Sequence, residues 1–336
     1  MGVKIGDLIP RKKVNFEDLS NKRIAIDASN MLYQFLSSIR QQDGTLLMDK
    51  KGRVTSHLMG TLTRLTNLMN KGVKISVVFD GKMPILKIKE QENREYRKNI
   101  AAGKMQQALE EEDYDEAYKY SKQTSRLTKE MCDEAKKLID YLGLPVIQAA
   151  GEADAQAAFM CKNNDVDYVA SSDMDCLVFG APYLVTNLTL SMKRKLPSGE
   201  VIYIRPDLIS LKEVLSSLEI NQDQLIVMSI LIGTDYNVGG VKNIGPKKAL
   251  NLVKKYNDYD KMFKELNVEF DWKDVFDVYK KHDVTKNYNL EWKEINKEKV
   301  IKFLVDEHDF SLERVEKLVS KETTKSKNEG LNKWFK

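Results

Sequence analysis

Cysteine and histidine are scarce in this chain of 336 residues, which contains three of each. The cysteines are scattered, form no CxxC pair and are Cys132, Cys161 and Cys176. This pattern argues against a disulfide framework and a zinc site and is typical of reduced thiols in an intracellular protein. Because the three histidines are also isolated in the sequence, catalysis is expected to depend on carboxylates.

Long apolar runs are absent as well. No window approaches the roughly 18 uninterrupted apolar residues of a membrane span, so we expect no membrane association. The N-terminus lacks the apolar stretch of a signal peptide, and Gly6 stands where a myristoylation pattern has Ser or Thr. Apolar residues nevertheless make up 42% of the chain and charged residues 31%, with a formal charge of +4, which excludes a disordered, collagenous or wholly coiled-coil protein.

Short β-rich runs alternate with amphipathic helical stretches in the first two thirds of the chain. The β-rich runs cover residues 23–27, 73–80, 144–148, 167–175 and 183–187. Helical spacing of Leu, Met and Ile occurs at 54–70 and 126–142, and residues 196–204 indicate a turn into an antiparallel edge strand. The alternation predicts an α/β fold with a mostly parallel central sheet flanked by helices on both faces.

Residues 82–125 interrupt this alternation with a long polar segment. Its first part, 82–104, has seven Lys or Arg against three Glu, whereas 110–116 contains six acids. A charge run of this kind is most often a solvated helical excursion. Long insertions in compact domains are, however, often lids or binding elements, so both interpretations stay open.

Seven carboxylates are predicted to meet at one edge of the sheet. Four follow β-rich runs, two open a small-residue helix and one follows the apolar helix 224–232; they are Asp27, Asp80, Asp173, Asp175, Glu152, Asp154 and Asp235. Ligand sites of open α/β sheets form at the carboxyl ends of strands. Since few Lys or Arg are expected at these ends, the mutual repulsion favours divalent cations, and oxygen ligands favour Mg²⁺ or Mn²⁺.

The alternative for any one of these acids is a structural role. A single Asp after a strand is more often a turn former or a helix cap than a ligand. Asp173 and Asp175, two residues apart on a predicted strand, are expected to point to the same side. Haloacid dehalogenase phosphatases and topoisomerase-primase domains also use DxD, but Cys176 and the Glu152/Asp154 pair fit neither pattern well.

A glycine-rich stretch at 239–250 precedes a helix. The sequence GGVKNIGPKKAL contains Gly239, Gly240, Gly245, Lys247 and Lys248. Glycines permit close backbone approach, and the free amides of a helix start can bind phosphate. The spacing favours a helix-hairpin-helix that holds DNA by its backbone over a plain turn between two helices.

In combination, these motifs resemble those of the flap endonuclease family, in particular its archaeal form, within the structure-specific 5′ nuclease superfamily. The resemblance runs from MGVKIGDLI to LNKWF, and its motifs are IDASNMLYQFL, VFDGKMP, GEADAQAA, SSDMDCLVFG and GTDYNVGGVKNIGPKKA. It implies a PIN-like fold with a helical arch and a helix-hairpin-helix. It also implies one nuclease domain, 1–320, followed by a flexible tail, 321–336. The parts of that domain are 1–81, the arch 82–125, 126–220, the helix-hairpin-helix 221–262, and C-terminal helices 263–320.

The resemblance implies that the seven acids hold two Mg²⁺ ions, which Mn²⁺ can replace. The implied reaction is hydrolysis of a phosphodiester at the junction of a 5′ flap and duplex, with 5′–3′ exonuclease activity, in Okazaki fragment maturation and repair. Lys87 and Arg94 match the basic pair of the arch and are assigned a catalytic role. Their spacing of seven residues places them on one helix face. Asp154 stands where the family usually has Glu.

Further positions follow from the same resemblance. Tyr33 matches an aromatic residue that stacks on a base near the cut, and Gly2 matches the processed N-terminus. A potassium ion is implied at the helix-hairpin-helix. The tail resembles the box that binds a sliding clamp of the proliferating-cell nuclear antigen type, with Asn328 in place of the usual Gln, and its matching residues are Asn328, Leu331, Trp334 and Phe335.

Two other functions stay open at this point. One is a related exonuclease or gap nuclease that differs in how the arch admits a 5′ end. The other is a DNA-binding clamp adaptor without catalysis, although such a protein has no reason to keep seven mutually repelling acids. We expect a monomer in an archaeal cytoplasm, or in the nucleus if the host were eukaryotic.

Overall fold

The computed structural model describes residues 2–41, 43–189, 193–195 and 200–320. The predicted tail 321–336, with its clamp-binding residues, lies outside the described residues. Among those that are described, no helix has both the length and the apolar character needed to cross a bilayer.

A seven-stranded sheet forms the centre of the structure, in the order β1-β9-β6-β5-β2-β3-β4. Strands β2 to β6 run parallel, β9 pairs antiparallel with β6, and β1 pairs antiparallel with β9. The strands are β1 (Lys12–Lys13), β2 (Arg23–Asp27), β3 (Lys74–Phe79), β4 (Val146–Gln148), β5 (Tyr168–Ala170), β6 (Tyr183–Thr186) and β9 (Asp207–Ser210). The prediction of a mostly parallel sheet is confirmed.

Helices cover both faces of this sheet, as predicted. The helices of the described residues are α1 (Ala28–Ser38), α2 (Ser56–Met69), α3 (Ile88–Glu110), α4 (Tyr114–Ser121), α5 (Lys129–Tyr141), α6 (Ala153–Lys162), α7 (Asp175–Val178), α8 (Leu211–Leu218), α9 (Gln222–Ile232), α10 (Pro246–Lys255), α11 (Tyr259–Glu265), α12 (Trp272–Lys280), α13 (Lys297–Ile301) and α14 (Leu312–Val319). Alternate residues of β2 belong to two apolar clusters. Ala25 packs in one and Ile24 and Ile26 in the other, because successive side chains of a strand point to opposite faces.

The stretch 167–175 is not one strand, so the prediction that Asp173 and Asp175 share a strand is wrong. Strand β5 ends at Ala170, where its pairing with β2 also ends. The chain then turns, and the Ser171 hydroxyl accepts a hydrogen bond from the Asp173 amide at 3.1 Å. Asp175 is the first residue of α7. Side chains that bond to nearby amides favour a turn over a continued strand.

An antiparallel strand lies within 196–204, as predicted, and it belongs to a separate small sheet. Strand β8 (Val201–Tyr203) pairs antiparallel with β7 (Lys193–Lys195) in a separate two-stranded sheet. The antiparallel strand of the central sheet is instead β9, which follows directly after this ribbon.

The polar segment 82–125 is helical, as predicted. A short 3-10 turn, Ile85–Lys87, leads into α3, which spans 23 residues, and α4 packs against α3. Small buried side chains, among them Ala101, Ala108 and Ala117, allow this close approach. At 1.5 Å per residue, α3 is about 35 Å long, so the segment extends well away from the sheet.

Candidate active site

The first two carboxylates lie where strands end. Asp27 is the last residue of β2 and caps α1, accepting a hydrogen bond from the Asn30 amide at 3.1 Å. Asp80 directly follows β3 and accepts from the Ala153 amide at 2.9 Å and from the Ser29 hydroxyl. The contact with Ala153 joins β3 to the start of α6, where the next two acids lie.

Glu152 directly precedes α6 and makes no side-chain capping hydrogen bond, and Asp154 lies in the first turn of this helix. Glu152 accepts hydrogen bonds from the Lys87 ammonium and the Tyr236 hydroxyl. Asp154 accepts one from the Cys176 thiol, with Sγ 2.9 Å from Oδ1. Small buried residues of α6, such as Ala155 and Ala158, bring this helix close to the sheet.

The N-terminal segment packs against Asp173 and Asp175. The Val3 amide donates to the Asp175 carboxylate at 3.0 Å, and the Asp175 amide donates to Asp173 at 3.3 Å. A Cβ added to Gly2 would lie 1.4 Å from Oδ1 of Asp173. A side chain at position 2 would therefore require the Asp173 carboxylate to shift, so Gly2 lies directly beside this acid.

Two cations of the arch segment reach the same carboxylate. An Arg94 Nη atom lies 2.6 and 2.7 Å from the two carboxylate oxygens of Asp235, and Lys87 Nζ lies 3.2 Å from one of them. Glu90 lies one turn before Arg94, and its Oε1 accepts a hydrogen bond from the Arg94 Nε at 2.9 Å. The expectation that few cations stand near the acids is therefore wrong, because Lys87, directly before α3, and Arg94, near the start of α3, both contact Asp235.

The site nevertheless retains excess negative charge. Burial, followed by the charges of Asp80 and Asp173, raises the pKa of Asp27 to about 7. Burial and neighbouring carboxylates also raise the pKa values of Asp154 and Asp175 well above their usual range. For Asp235, burial opposes ionisation, but Lys87 and Arg94 outweigh it and lower the pKa.

These acids fit divalent metal ions by their chemistry, since hard carboxylate oxygens and uncompensated charge favour Mg²⁺. In the described part of the chain, no three His, Cys, Asp or Glu side chains are arranged as ligands around one point. The carboxylates are instead hydrogen-bonded to amides, hydroxyls, a thiol and the two cations.

A cavity of about 1100 Å³ lies beneath the helical segment. Six of the seven acids line it, together with Gly2, Lys87, Arg94 and Tyr33. The Tyr33 side chain is 39% exposed, and Lys98 Nζ lies 5.3 Å from its ring centroid. The seventh acid, Asp175, is buried behind the cavity wall.

The predicted glycine-rich hairpin joins α9 to α10. Gly239 and Gly240 have positive φ angles, and a Cβ on Gly240 would lie 2.4 Å from the backbone of Ile232. Gly245 precedes α10, whose first residue is Pro246, and no side chain caps this helix start. Lys247 and Lys248 in its first turn are exposed. Free amides and exposed cations thus share one helix terminus.

Sequence reasoning missed several side chains that contact the acids, among them the Ser29 hydroxyl that donates to Asp80. Tyr236 directly follows Asp235 and bonds to Glu152, and Cys176 directly follows Asp175 and bonds to Asp154. Both are buried. Their positions next to predicted ligands are a signal, but the sequence does not show that each contacts an acid of another element.

Two family models match long stretches of this chain. Residues 2–101 match the XPG N-terminal domain, and residues 143–235 match the XPG I-region. Flap endonuclease 1 of Thermococcus onnurineus is 47% identical over 339 residues, which cover 100% of this chain and 99% of that one. For flap endonuclease 1 of Pyrococcus furiosus the identity is 46% over 340 residues, with 100% of both chains covered. The chain belongs to the flap endonuclease 1 family.

The fold of this chain is similar to that of solved structures. The flap endonuclease-1 from Methanococcus jannaschii superposes with a TM-score of 0.78 at 41% identity, covering 98% of this chain and 100% of that one. The catalytic core of Rad2 in complex with DNA substrate superposes with a TM-score of 0.68 at 21% identity, covering 95% of this chain and 97% of that one. At this identity the match supports the fold alone. The seven acids, Lys87 and Arg94 all lie in the two ranges matched to XPG domains.

Proposed function

We propose that this member of the flap endonuclease 1 family is a metal-dependent, structure-specific 5′ flap endonuclease with 5′–3′ exonuclease activity. It hydrolyses a phosphodiester at the junction of flap and duplex in DNA replication, including Okazaki fragment maturation, and in repair. The observation that carries this proposal is the cavity under the arch. Carboxylates line this cavity, and Lys87 and Arg94 of the arch line it too and contact two of the acids.

The proposed metal ligands are the seven acids, of which Asp27, Asp154 and Asp175 have raised pKa values because burial and neighbouring carboxylates oppose their ionisation. Two Mg²⁺ ions bound there would supply an activated water and stabilise the leaving oxygen of an in-line displacement. Mn²⁺ is proposed to substitute because it accepts the same oxygen ligands.

Lys87 and Arg94 are proposed to bind the scissile phosphate. Both lie at the base of the arch and face the carboxylates, so a phosphate held by the site is within their reach. Their charge favours a transition state that carries more negative charge than the substrate. Tyr33, partly exposed on the cavity wall, is placed to stack on an unpaired base, a contact that tolerates any sequence.

The hairpin between α9 and α10 is proposed to hold duplex DNA by its backbone. Uncapped amides at the start of α10 and the exposed Lys247 and Lys248 favour a phosphate. Backbone carbonyls of the glycine turn at 239–240 are the proposed ligands of a K⁺ ion. Such contacts carry no base information, so recognition follows the shape of branched DNA.

Other assignments are also proposals. The residue pattern of the tail supports a sliding clamp of the proliferating-cell nuclear antigen type as partner, through Leu331, Trp334 and Phe335, with Asn328 as the polar anchor. A tether of this kind would raise the local concentration of the nuclease at its substrate. We also propose a monomer that acts in an archaeal cytoplasm, with 1–320 as one nuclease domain.

The test is cleavage of a labelled double-flap DNA, compared with plain duplex and a 3′ flap, in Mg²⁺ and in EDTA. Cutting near the 5′ flap junction that requires Mg²⁺ would support the proposal. Cutting of gapped duplex in preference to the flap would support the gap nuclease instead. Binding of the flap without cutting, in Mg²⁺ and in Mn²⁺, would favour the clamp adaptor.

A further inference from the structure

The thiol of Cys176 holds an unusual position among the carboxylates. Cys176 lies in the first turn of α7, is fully buried, and has its Sγ 2.9 Å from Oδ1 of Asp154 in the first turn of α6. Among the described residues it is the one hydrogen-bond donor to Asp154. Each of the other six acids accepts from a backbone amide, a hydroxyl or a cation.

The direction of this hydrogen bond follows from chemistry. The S–H group is the donor of this pair, and the Oδ1 atom of Asp154 is the acceptor. The thiol therefore donates to Asp154, and in the described structure it makes no other hydrogen bond.

We propose that Cys176 is a positioning residue that orients the Asp154 carboxylate for metal binding. This inference rests on the proposed function, because it concerns the same acidic site. Helices α6 and α7 pack against each other, so the two side chains are carried by rigid elements. An aspartate held at one oxygen keeps its second oxygen in a defined direction, whereas a free carboxylate would sample several rotamers.

The expected effect is moderate. Removing a hydrogen-bonded partner behind a metal ligand typically lowers metal affinity by about 10- to 100-fold. A thiol is a weak donor, so the lower end applies and Cys176→Ala should weaken Mn²⁺ binding by about tenfold. Cys176→Ser restores a donor at this position and should stay within about threefold of wild type.

Cys161 offers a matched control. It is also buried, it lies on α6 together with Asp154, and its Sγ contacts the Asp167 carbonyl oxygen at 3.5 Å instead of a carboxylate of the site. Cys161→Ala should therefore leave Mn²⁺ affinity unchanged. If the small cavity in Cys176→Ala prevents folding, Cys176→Val, which fills the space and lacks a donor, replaces it.

The measurement is Mn²⁺ binding to the DNA-free protein by electron paramagnetic resonance, with thermal unfolding in EDTA to confirm equal folding. Weaker binding in Cys176→Ala, with Cys176→Ser and Cys161→Ala near wild type, would support the proposal. It is overturned if Cys176→Ala binds as wild type does, or if Cys176→Ser is as weak as the alanine variant. Failure of the wild type to bind Mn²⁺ and to cleave a 5′ flap would instead refute the proposed function.

Discussion

Replacing Lys87 by methionine tests whether the arch cation stabilises the acids when no metal is bound. Methionine keeps an unbranched, flexible side chain and removes the charge. Lys87 contacts Glu152 and lies 3.2 Å from Asp235, and its side chain is 24% exposed. In EDTA, Lys87→Met leaves Glu152 without an ionic partner, so the free energy of unfolding should fall.

The size of this loss follows from the contacts. Breaking a buried ion pair by removing one partner costs about 3–5 kcal/mol. Here Arg94 still neutralises Asp235, and the Tyr236 hydroxyl still bonds to Glu152, so about 2 kcal/mol is expected. A domain of this size loses about 2 °C of Tm per kcal/mol, which gives about 4 °C.

Saturating Mg²⁺ should nearly abolish the difference, because metal ions replace the missing positive charge. By linkage, a deficit of about 2 kcal/mol that disappears on binding corresponds to about 30-fold tighter metal binding by the variant. The assay is urea unfolding followed by circular dichroism, in EDTA and in Mg²⁺. Lys89→Met, which removes an exposed lysine two residues away, should leave the free energy of unfolding unchanged both in EDTA and in Mg²⁺. Equal destabilisation of Lys87→Met with and without Mg²⁺ would refute charge compensation.

Three further predictions concern catalysis, the tail and pH. Asp175→Ala should abolish flap cleavage but keep flap binding, measured by fluorescence anisotropy, and equal loss of both would contradict a ligand role. Deleting residues 328–336 should leave cleavage intact and remove its stimulation by a sliding clamp, whereas unchanged stimulation would disprove the tail assignment. Burial lowers the pKa of His308, so the unfolded chain binds this proton more tightly. The contribution of His308 to the free energy of unfolding should therefore fall as the pH drops below about 6.5, whereas the acids with raised pKa values contribute the opposite trend. In urea titrations the stability of the wild type relative to His308→Gln should therefore decrease as the pH is lowered through this range.

The central strands were predictable because their apolar runs are local signals. The runs at 23–27 and 73–80 correspond to β2 and β3, and the acids that end them, Asp27 and Asp80, lie at the sheet edge. Even the position of the acidic edge follows from topology, since parallel strands share one carboxyl end. Strand β9 was missed because four residues between a polar ribbon and a helix give little periodic signal.

Contacts between distant elements could not be predicted in the same way. Lys87, directly before α3, and Arg94, on α3, contact Asp235, which follows α9 in a distant part of the chain. His57 and His308 are isolated in sequence but both contact Glu134, at 3.0 and 3.7 Å. Such pairings depend on how helices pack against one another. The spacing of residues within one helix or strand does not predict that packing.

The ion pairs at the base of the arch also bear on how the substrate is admitted. Lys87 and Arg94, the cations proposed to bind phosphate, are engaged by Glu152 and Asp235 in the DNA-free chain. A phosphate must therefore displace carboxylates from the same cations, which leaves buried acids uncompensated and is costly unless metal ions neutralise them. We infer that metal binding and phosphate binding favour each other at this site. Lys87→Met has lost one of the cations for which carboxylate and phosphate compete. It should therefore bind metal more tightly than the wild type does. Mg²⁺ should also increase its affinity for flap DNA by a smaller factor than it increases that of the wild type.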